Sequence, residues 1–379
     1  MNRHKLGQYF TTNIELKDAV KSFILNQPDV ILEPSCGRGD LISYIPYINF
    51  DAYEIDDSIE FLPEIQKDSI TIGDFITINI DKKYKTIIGN PPYVKTSSGN
   101  LYLDFTNKCI DLLEEKGELI FIIPSDFFKL TSASELLNKM TKEGTFTHIY
   151  HPHNERLFEG ASIDVLVYRY VKDKTLEKIT YYNSEKLYMI NTNGIITFSD
   201  KIISDSVRIG DIFDVYVGMV SGKEEVFKNE KLGDMKVRNG KDKLDTYICI
   251  EKFPTASKEL DDYLLSYKDV LKTRGIRSFN DANWFEWGAL RNKKTIDVNI
   301  GKNCIYISTL SRQKEIAFKG KVEYFGGGLL ILIPKQDIKL DSMIGYFNSD
   351  LFKKNFLFSG RFKIGHKQLS NTLVPSNLI

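Results

Sequence analysis

A chain of 379 residues is long enough for two domains with sizeable cores. It holds no apolar run near the ~18 residues a membrane span needs. Its 4 cysteines stand far apart without a CxxC pair, which argues against a zinc site, any other metal site or a disulfide framework and for a reducing, cytoplasmic setting.

The formal charge is zero, but its distribution is uneven. Residues 1–170 carry 25 acidic and 17 basic side chains, whereas residues 171–379 carry 34 basic and 26 acidic ones. Such a split points to a polyanionic partner for the second half, against the plainer reading of a solvated surface that happens to be basic. The first residues, Met1-Asn2-Arg3-His4-Lys5, lead into no apolar signal-peptide core.

The first half alternates strands and helices. Val30-Ile31-Leu32 reads as a short buried strand that runs into Glu33-Pro34-Ser35-Cys36-Gly37-Arg38-Gly39-Asp40. Gly37 and Gly39 allow a tight turn and close backbone approach, yet the spacing fits neither GxGxxG nor GxxxxGK[ST]. A second strand, 50–55, carries Glu54 near its end, 21 positions after Glu33. An acid at that place suits the two hydroxyls of a ribose, and Glu33 suits a cationic amino group or a bound water. Acids without a phosphate cradle fit an adenosine cofactor that has no phosphates, such as S-adenosylmethionine.

Ile70-Thr71-Ile72 leads into Gly73-Asp74-Phe75, where an Asp can accept from an adenine amino group and a Phe can pack on the ring. Thr86-Ile87-Ile88 then enters Gly89 and the tetrad Asn90-Pro91-Pro92-Tyr93. The prolines end the strand and stiffen the turn beyond it. An amide, a free carbonyl and an aromatic ring are thus held together, a set that suits a flat substrate bearing an amino group. Residues 101–113 read as a helix closed by Gly117 as C-cap, 118–123 as a strand, 134–140 as a helix and 163–170 as a strand. This alternation predicts an α/β fold, a doubly wound sheet with helices on both faces. The lysine-rich stretch 172–178 marks a boundary. The expected organisation is a catalytic domain over 1–172, a connector over 173–203 and a second domain over 204–379.

Taken in order, Leu6-Gly7-Gln8-Tyr9-Phe10-Thr11-Thr12, the Glu33–Gly39 turn, Tyr53-Glu54-Ile55-Asp56, Gly73-Asp74-Phe75 and Asn90-Pro91-Pro92-Tyr93 closely resemble the gamma-class DNA adenine-N6 methyltransferases of restriction–modification systems. The resemblance is detailed over residues 5–170 and reaches the later half only in layout. It implies a Rossmann-like class I S-adenosylmethionine-dependent methyltransferase domain followed by an α+β target-recognition domain. Thr11 would touch the methionine part of the cofactor, Glu33 and Gly37 its amino-acid end, and Glu54 the ribose. Ile55, Asp74 and Phe75 would surround the adenine, with Asn90 beside the cofactor as well. Asn90, Pro91 and Tyr93 would form the substrate site, with Phe158 as the facing aromatic. A lysine that some relatives carry shortly after that aromatic is absent here, with Ala161 near its place.

The implied reaction is methyl transfer to the N6 amino group of a flipped adenine in duplex DNA, by direct in-line attack. Two acceptors, the Asn90 side chain and the Pro91 carbonyl, would hold the amine, and positioning would supply much of the acceleration. A separately encoded restriction endonuclease is the expected partner. In the second half Lys223, Arg291, Lys293, Arg361, Lys363 and Lys367 are the candidate DNA contacts. The two tryptophans, Trp284 and Trp287, read as core, and His151 and His153 as loop histidines. The competing readings are methylation of a protein glutamine amide, methylation of RNA or of cytosine N4, and a DNA-binding protein with an inactive methyltransferase domain.

Overall fold

The computed structural model describes residues 7–45, 48–96, 99–201, 205–309, 315–354, 356 and 364–379. The chain divides into two compact units, one reaching residue 201 and the other starting at residue 205 among the described residues.

The first unit is built on a ten-stranded sheet. Its strands are β1 (Val30–Glu33), β2 (Asn49–Glu54), β3 (Ile70–Ile72), β4 (Tyr84–Gly89), β5 (Leu113–Pro124), β6 (Thr145–Tyr150), β7 (Val165–Val171), β8 (Ile179–Tyr182), β9 (Glu185–Thr192) and β10 (Ile195–Ser199). They lie in the order β10-β9-β8-β6-β7-β5-β4-β1-β2-β3. Neighbours from β3 to β5 are parallel, and β7 runs antiparallel between β5 and β6. The expected α/β, doubly wound architecture is therefore present.

Period-two patterning assigns the two faces. Ile31, Ile88, Ile120, Ile122, Val165 and Val167 pack on helix α1 (Ile14–Ser22) through Leu16, Ala19 and Val20. Their neighbours Leu32, Ile87, Leu119, Phe121, Ile123 and Leu166 turn to the other face. There they meet Tyr102, Phe105 and Cys109 of α2 (Leu101–Leu112) and Leu137 and Met140 of α3 (Ser134–Glu143). Asn13 caps α1, its side chain accepting from the Leu16 amide at 3.1 Å.

After β1 the chain builds outward through β2 and β3, then returns to place β4 on the other side of β1. The carboxyl ends of β1 and β4 therefore flank the point where strand order reverses, which is where an open α/β sheet leaves a crevice for ligands. Glu33 closes β1, and Asn90 directly follows β4.

One sequence expectation changes. Gly117 does not cap the helix, which ends at Leu112; the chain passes straight into β5. There a Cβ at Gly117 would lie 2.9 Å from the Glu114 carbonyl oxygen and 3.0 Å from that of Tyr84, so close backbone approach explains the glycine. Residues 179–199, expected as a strand-bearing connector, form β8, β9 and β10 and extend the same sheet beyond β6. The lysine-rich stretch is part of that packing, since Lys178 Nζ donates to the Gly144 carbonyl at 2.7 Å.

Opposite the crevice, a buried carboxylate ties the sheet together. Glu118 accepts from Arg169 Nε at 2.7 Å, from Thr86 Oγ1 at 2.9 Å and from the Asn26 amide at 3.0 Å. Arg169 is almost as buried as its partner. Glu118→Gln removes the charge while keeping the shape, and it is expected to cost about 1.5–3 kcal/mol of stability. Urea unfolding checks this: an unchanged midpoint would show that the pair adds nothing.

The second unit centres on a four-stranded antiparallel sheet of β11 (Phe213–Val217), β12 (Asn303–Ser308), β13 (Ala317–Lys321) and β14 (Leu329–Pro334), in the order β11-β14-β12-β13. A second core gathers Trp284, Trp287, Phe227 and Tyr247, and Trp287 Nε1 donates to the Ile248 carbonyl at 2.8 Å. Both tryptophans are thus core residues. Among the described residues no helix is long and apolar enough to cross a membrane.

Candidate active site

A cleft lies at the carboxyl ends of β1, β2 and β4. Gly37, Glu54, Ile55, Asp74, Phe75 and Asn90, all singled out from the sequence, line it together.

The glycine turn is shaped by contacts as much as by torsion angles. Gly37 has φ +56° and Gly39 φ +90°, values that favour glycine. A Cβ on Gly37 would press on the Phe10 ring at 3.3 Å, and one on Gly39 would reach Ile65 at 2.6 Å. The Gly37 amide donates to Glu54 Oε2 at 2.8 Å. Glu54 Oε1 accepts from the Ile55 and Asp56 amides at 3.0 and 2.9 Å. Three backbone donors thus orient the acid at the end of β2. Burial raises its pKa, and those amides work in the opposite direction.

Glu33 is 2% exposed, and its Oε2 has no hydrogen-bond partner. Burial pushes its pKa well up, reinforced by the neighbouring Asp40 and Glu54. A buried carboxylate with an idle oxygen is costly unless a donor arrives. The ammonium group of an amino-acid cofactor is such a donor.

Where the cleft meets the end of β3, Asp74 Oδ1 accepts from the Ile76 amide at 2.9 Å. Phe75 is buried between Tyr53 and Phe105, with ring centroids 5.4 Å away on either side. Phe105 also lines the cleft, a role that its place on the apolar side of α2 concealed.

The tetrad lies beside this cleft and is held by residues 7–12. Asn90 Nδ2 donates to the Tyr9 carbonyl at 2.8 Å and to Thr11 Oγ1 at 3.2 Å. Thr11 is thus placed on the Asn90 amide and is not among the residues lining the cleft. Both amide hydrogens are thus engaged, and Oδ1 accepts from the Tyr93 hydroxyl at 2.5 Å, which leaves one further acceptor position on that oxygen. That hydroxyl also lies 3.0 Å from the Ile122 carbonyl oxygen. Burial raises the Tyr93 pKa well above its ordinary value, so it remains a neutral donor.

Phe158 is brought to the same place. It is 4% exposed, and its ring is 6.3 Å from that of Tyr93 at 72°. Tyr9 completes the cluster, stacked on Tyr93 at 5.7 Å and 26° and tilted against Phe158 at 5.7 Å. Tyr9 sits inside the N-terminal motif, yet the sequence alone assigns it no role. The signal is its place directly before Phe10, which lines the cleft, and two positions before Thr11, which meets Asn90. Gln8 anchors the same segment on the cofactor side, donating to Asp56 Oδ2 at 3.1 Å, and Arg38 lies 4.6 Å from the Phe10 ring centre.

The candidate DNA contacts of the second unit are less concentrated. Lys223 pairs with Glu225 at 2.7 Å and Lys293 with Asp297 at 3.2 Å. Arg291 and Lys367 are exposed. Arg361 and Lys363 lie outside the described residues.

Similarity to known proteins fits this geometry. Residues 44–158 match the model of the Eco57I restriction-modification methylase family. The chain is 28% identical over 337 residues to the Type II methyltransferase M.HindII of Haemophilus influenzae, covering 70% of this chain and 62% of that one. To M.HincII of the same species it is 31% identical over 55% of this chain and 45% of that one. The chain therefore spans less than two thirds of the length of either Haemophilus protein. To M.MjaIV of Methanocaldococcus jannaschii it is 32% identical over 45% of this chain and 67% of that one. The solved structure of the Type IIL restriction-modification enzyme MmeI in complex with DNA shares the fold over 97% of this chain and 64% of that one, with TM-score 0.57 and 12% identity. S-adenosylmethionine is the cofactor that goes with this family, and the unpartnered Glu33 next to Pro34 of the cleft, together with Glu54, Asp74 and Phe75 that line it, is chemically suited to it. The chain belongs to the restriction-modification DNA methyltransferases.

Proposed function

We propose that the protein is a site-specific DNA methyltransferase acting on the N6 amino group of an adenine flipped out of the duplex. The observation that carries this reading is the orientation of Asn90, an amide whose two hydrogens are spent on Tyr9 and Thr11 so that its oxygen stands next to an aromatic cluster at the cofactor cleft. The cofactor, when bound, supplies a sulfonium-activated methyl group.

The chain's own residues do the rest. Asn90 Oδ1 and the Pro91 carbonyl accept the two amine hydrogens, which draws the nitrogen lone pair out of the ring. No covalent nucleophile takes part, and orientation supplies much of the rate. Flipping the base out of the stack costs a few kcal/mol. Stacking on Tyr93 and Phe158 returns about 1–3 kcal/mol per contact. The two rings meet edge-on at 72° and Tyr9 is stacked on Tyr93, so a base that lies on the Tyr9 face of Tyr93 has to displace the Tyr9 ring. The second unit, with Lys223, Arg291, Lys293 and Lys367 among its basic groups, is proposed to hold the duplex and read the sequence.

Sequencing modified bases in DNA from cells that express the protein tests this. N6-methyladenine confined to one short motif is the expected result. Cytosine N4 methylation, or unmodified DNA beside a methylated protein or RNA, would overturn it.

A further inference from the structure

Phe158 sits in the loop of residues 151–164, between the end of β6 and the start of β7. The two stems of that loop are joined by side chains the reaction does not use. His151 Nε2 lies 2.9 Å from Asp164 Oδ1, and Ser125 Oγ donates to Asp164 Oδ2 at 2.6 Å. The Ser125 amide also donates to the Asp164 carbonyl at 2.9 Å. On the far side of the imidazole, the Tyr182 hydroxyl lies 2.8 Å from His151 Nδ1. Asn183 brackets the His151 backbone, accepting from its amide at 2.7 Å and donating to its carbonyl at 3.0 Å.

One polar chain, Tyr182–His151–Asp164–Ser125, thus crosses the carboxyl ends of β8, β6 and β5 and the first residue before β7. His151 is 1% exposed. Burying such groups is unfavourable unless every member is satisfied, and a satisfied chain fixes direction as apolar packing does not. It is no hydrolytic triad. The carboxylate stands between the hydroxyl and the imidazole, so the serine has no adjacent base. It is no metal centre either, since among the described residues no three His, Cys, Asp or Glu side chains come together to hold an ion.

We propose that Ser125, Asp164 and His151 are positioning residues that clamp the stems of the 151–164 loop and thereby set Phe158 against Tyr93. The proposal rests on the reading of Phe158 as a base-stacking residue. Phe158 and Leu157 pack with Val165 and Val167, the residues that continue from Asp164, so a shift of the clamp carries into the aromatic cluster. Glu33, Glu54 and Asp74 lie outside the chain of bonds, and cofactor binding is expected to be indifferent to it.

A double-mutant cycle tests this, once the recognition motif of the wild-type protein is known. Asp164→Ala is expected to lower kcat/KM for duplex DNA about tenfold, the lower part of the stacking range, with cofactor affinity within about twofold of wild type. Asp164→Asn, which keeps the hydrogen bonds, restores most of the loss. With 2-aminopurine at the target position, Asp164→Ala and Phe158→Ala show the same loss of fluorescence quenching by stacking. Phe158→Ala/Asp164→Ala is no worse than Phe158→Ala alone. Wild-type activity in Asp164→Ala, or losses that simply add in the double variant, would overturn the proposal. Should Asp164→Ala fail to fold, Ser125→Ala, which removes a single hydroxyl, takes its place in the same cycle. A wild-type protein that modifies no DNA base refutes the functional reading instead, and does so before any variant is made.

Discussion

Asn90→Ala is expected to reduce kcat by about 100- to 1000-fold, in line with the loss of one preorganised polar group at a reacting centre, while cofactor affinity changes little. On the proposed reading the amide acts on the substrate amine through Oδ1 and carries no charge with which to hold the cofactor. Its orientation is set in advance, because Tyr9 and Thr11 take both Nδ2 hydrogens. Asn90→Asp keeps an acceptor but places a carboxylate against the Tyr9 carbonyl oxygen, so it should retain part of the rate. Single-turnover kinetics with the identified DNA motif separates the two effects. Near-normal turnover in Asn90→Ala would remove the amide from the mechanism.

The second large effect concerns Glu33. Glu33→Gln is expected to weaken S-adenosylmethionine about 10- to 100-fold, the value of a hydrogen bond to a charged group. The pH dependence follows from the direction of its shift. Burial raises the carboxyl pKa in the cofactor-free protein, so below that raised value Glu33 carries a proton. A cationic amino group binds the ionised form, so binding must expel the proton there. Affinity should rise with pH up to the raised pKa and then level off. In the cofactor-free protein the sign is opposite. The folded state holds the proton more tightly than the unfolded one, so Glu33 makes stability fall as pH rises between the ordinary carboxylate value and the raised one. Calorimetry in buffers of different ionisation enthalpy measures the expelled proton. Equal proton release by wild type and Glu33→Gln would dismiss the assignment.

The functional groups are legible in the sequence because they stand where strands stop. Pro34 and Pro91-Pro92 announce the ends of β1 and β4, and parallel pairing of those strands brings Glu33 and Asn90 to one edge. Three features are not legible, each for a reason of packing. That β8 to β10 continue the large sheet is one, because their buried apolar side chains are few, chiefly Met189, Ile195, Ile196 and Phe198, and the pairing of β8 with β6 joins segments distant in sequence. Gly117 reads as a cap from local torsional preference, whereas a contact with Tyr84, far away in sequence, is what excludes a side chain. Tyr9 reaches the tetrad only because the chain folds back across the 81 positions that separate it from Asn90, and no local pattern records that distance. The His151–Asp164 contact is of the same kind, two stems of one loop that meet only when β6 and β7 pair.

The fastening of Asn90 also bears on which bases the site refuses. An amide free to rotate by half a turn can greet either an amino group or a carbonyl. This one cannot turn without presenting its oxygen to the carbonyl of Tyr9 and losing two hydrogen bonds. Its oxygen, one acceptor position taken by the Tyr93 hydroxyl, therefore has only an acceptor to offer a base at the proposed site. A keto base, such as guanine, thymine or the hypoxanthine left by deamination of adenine, would set oxygen against oxygen and be repelled before any chemistry begins.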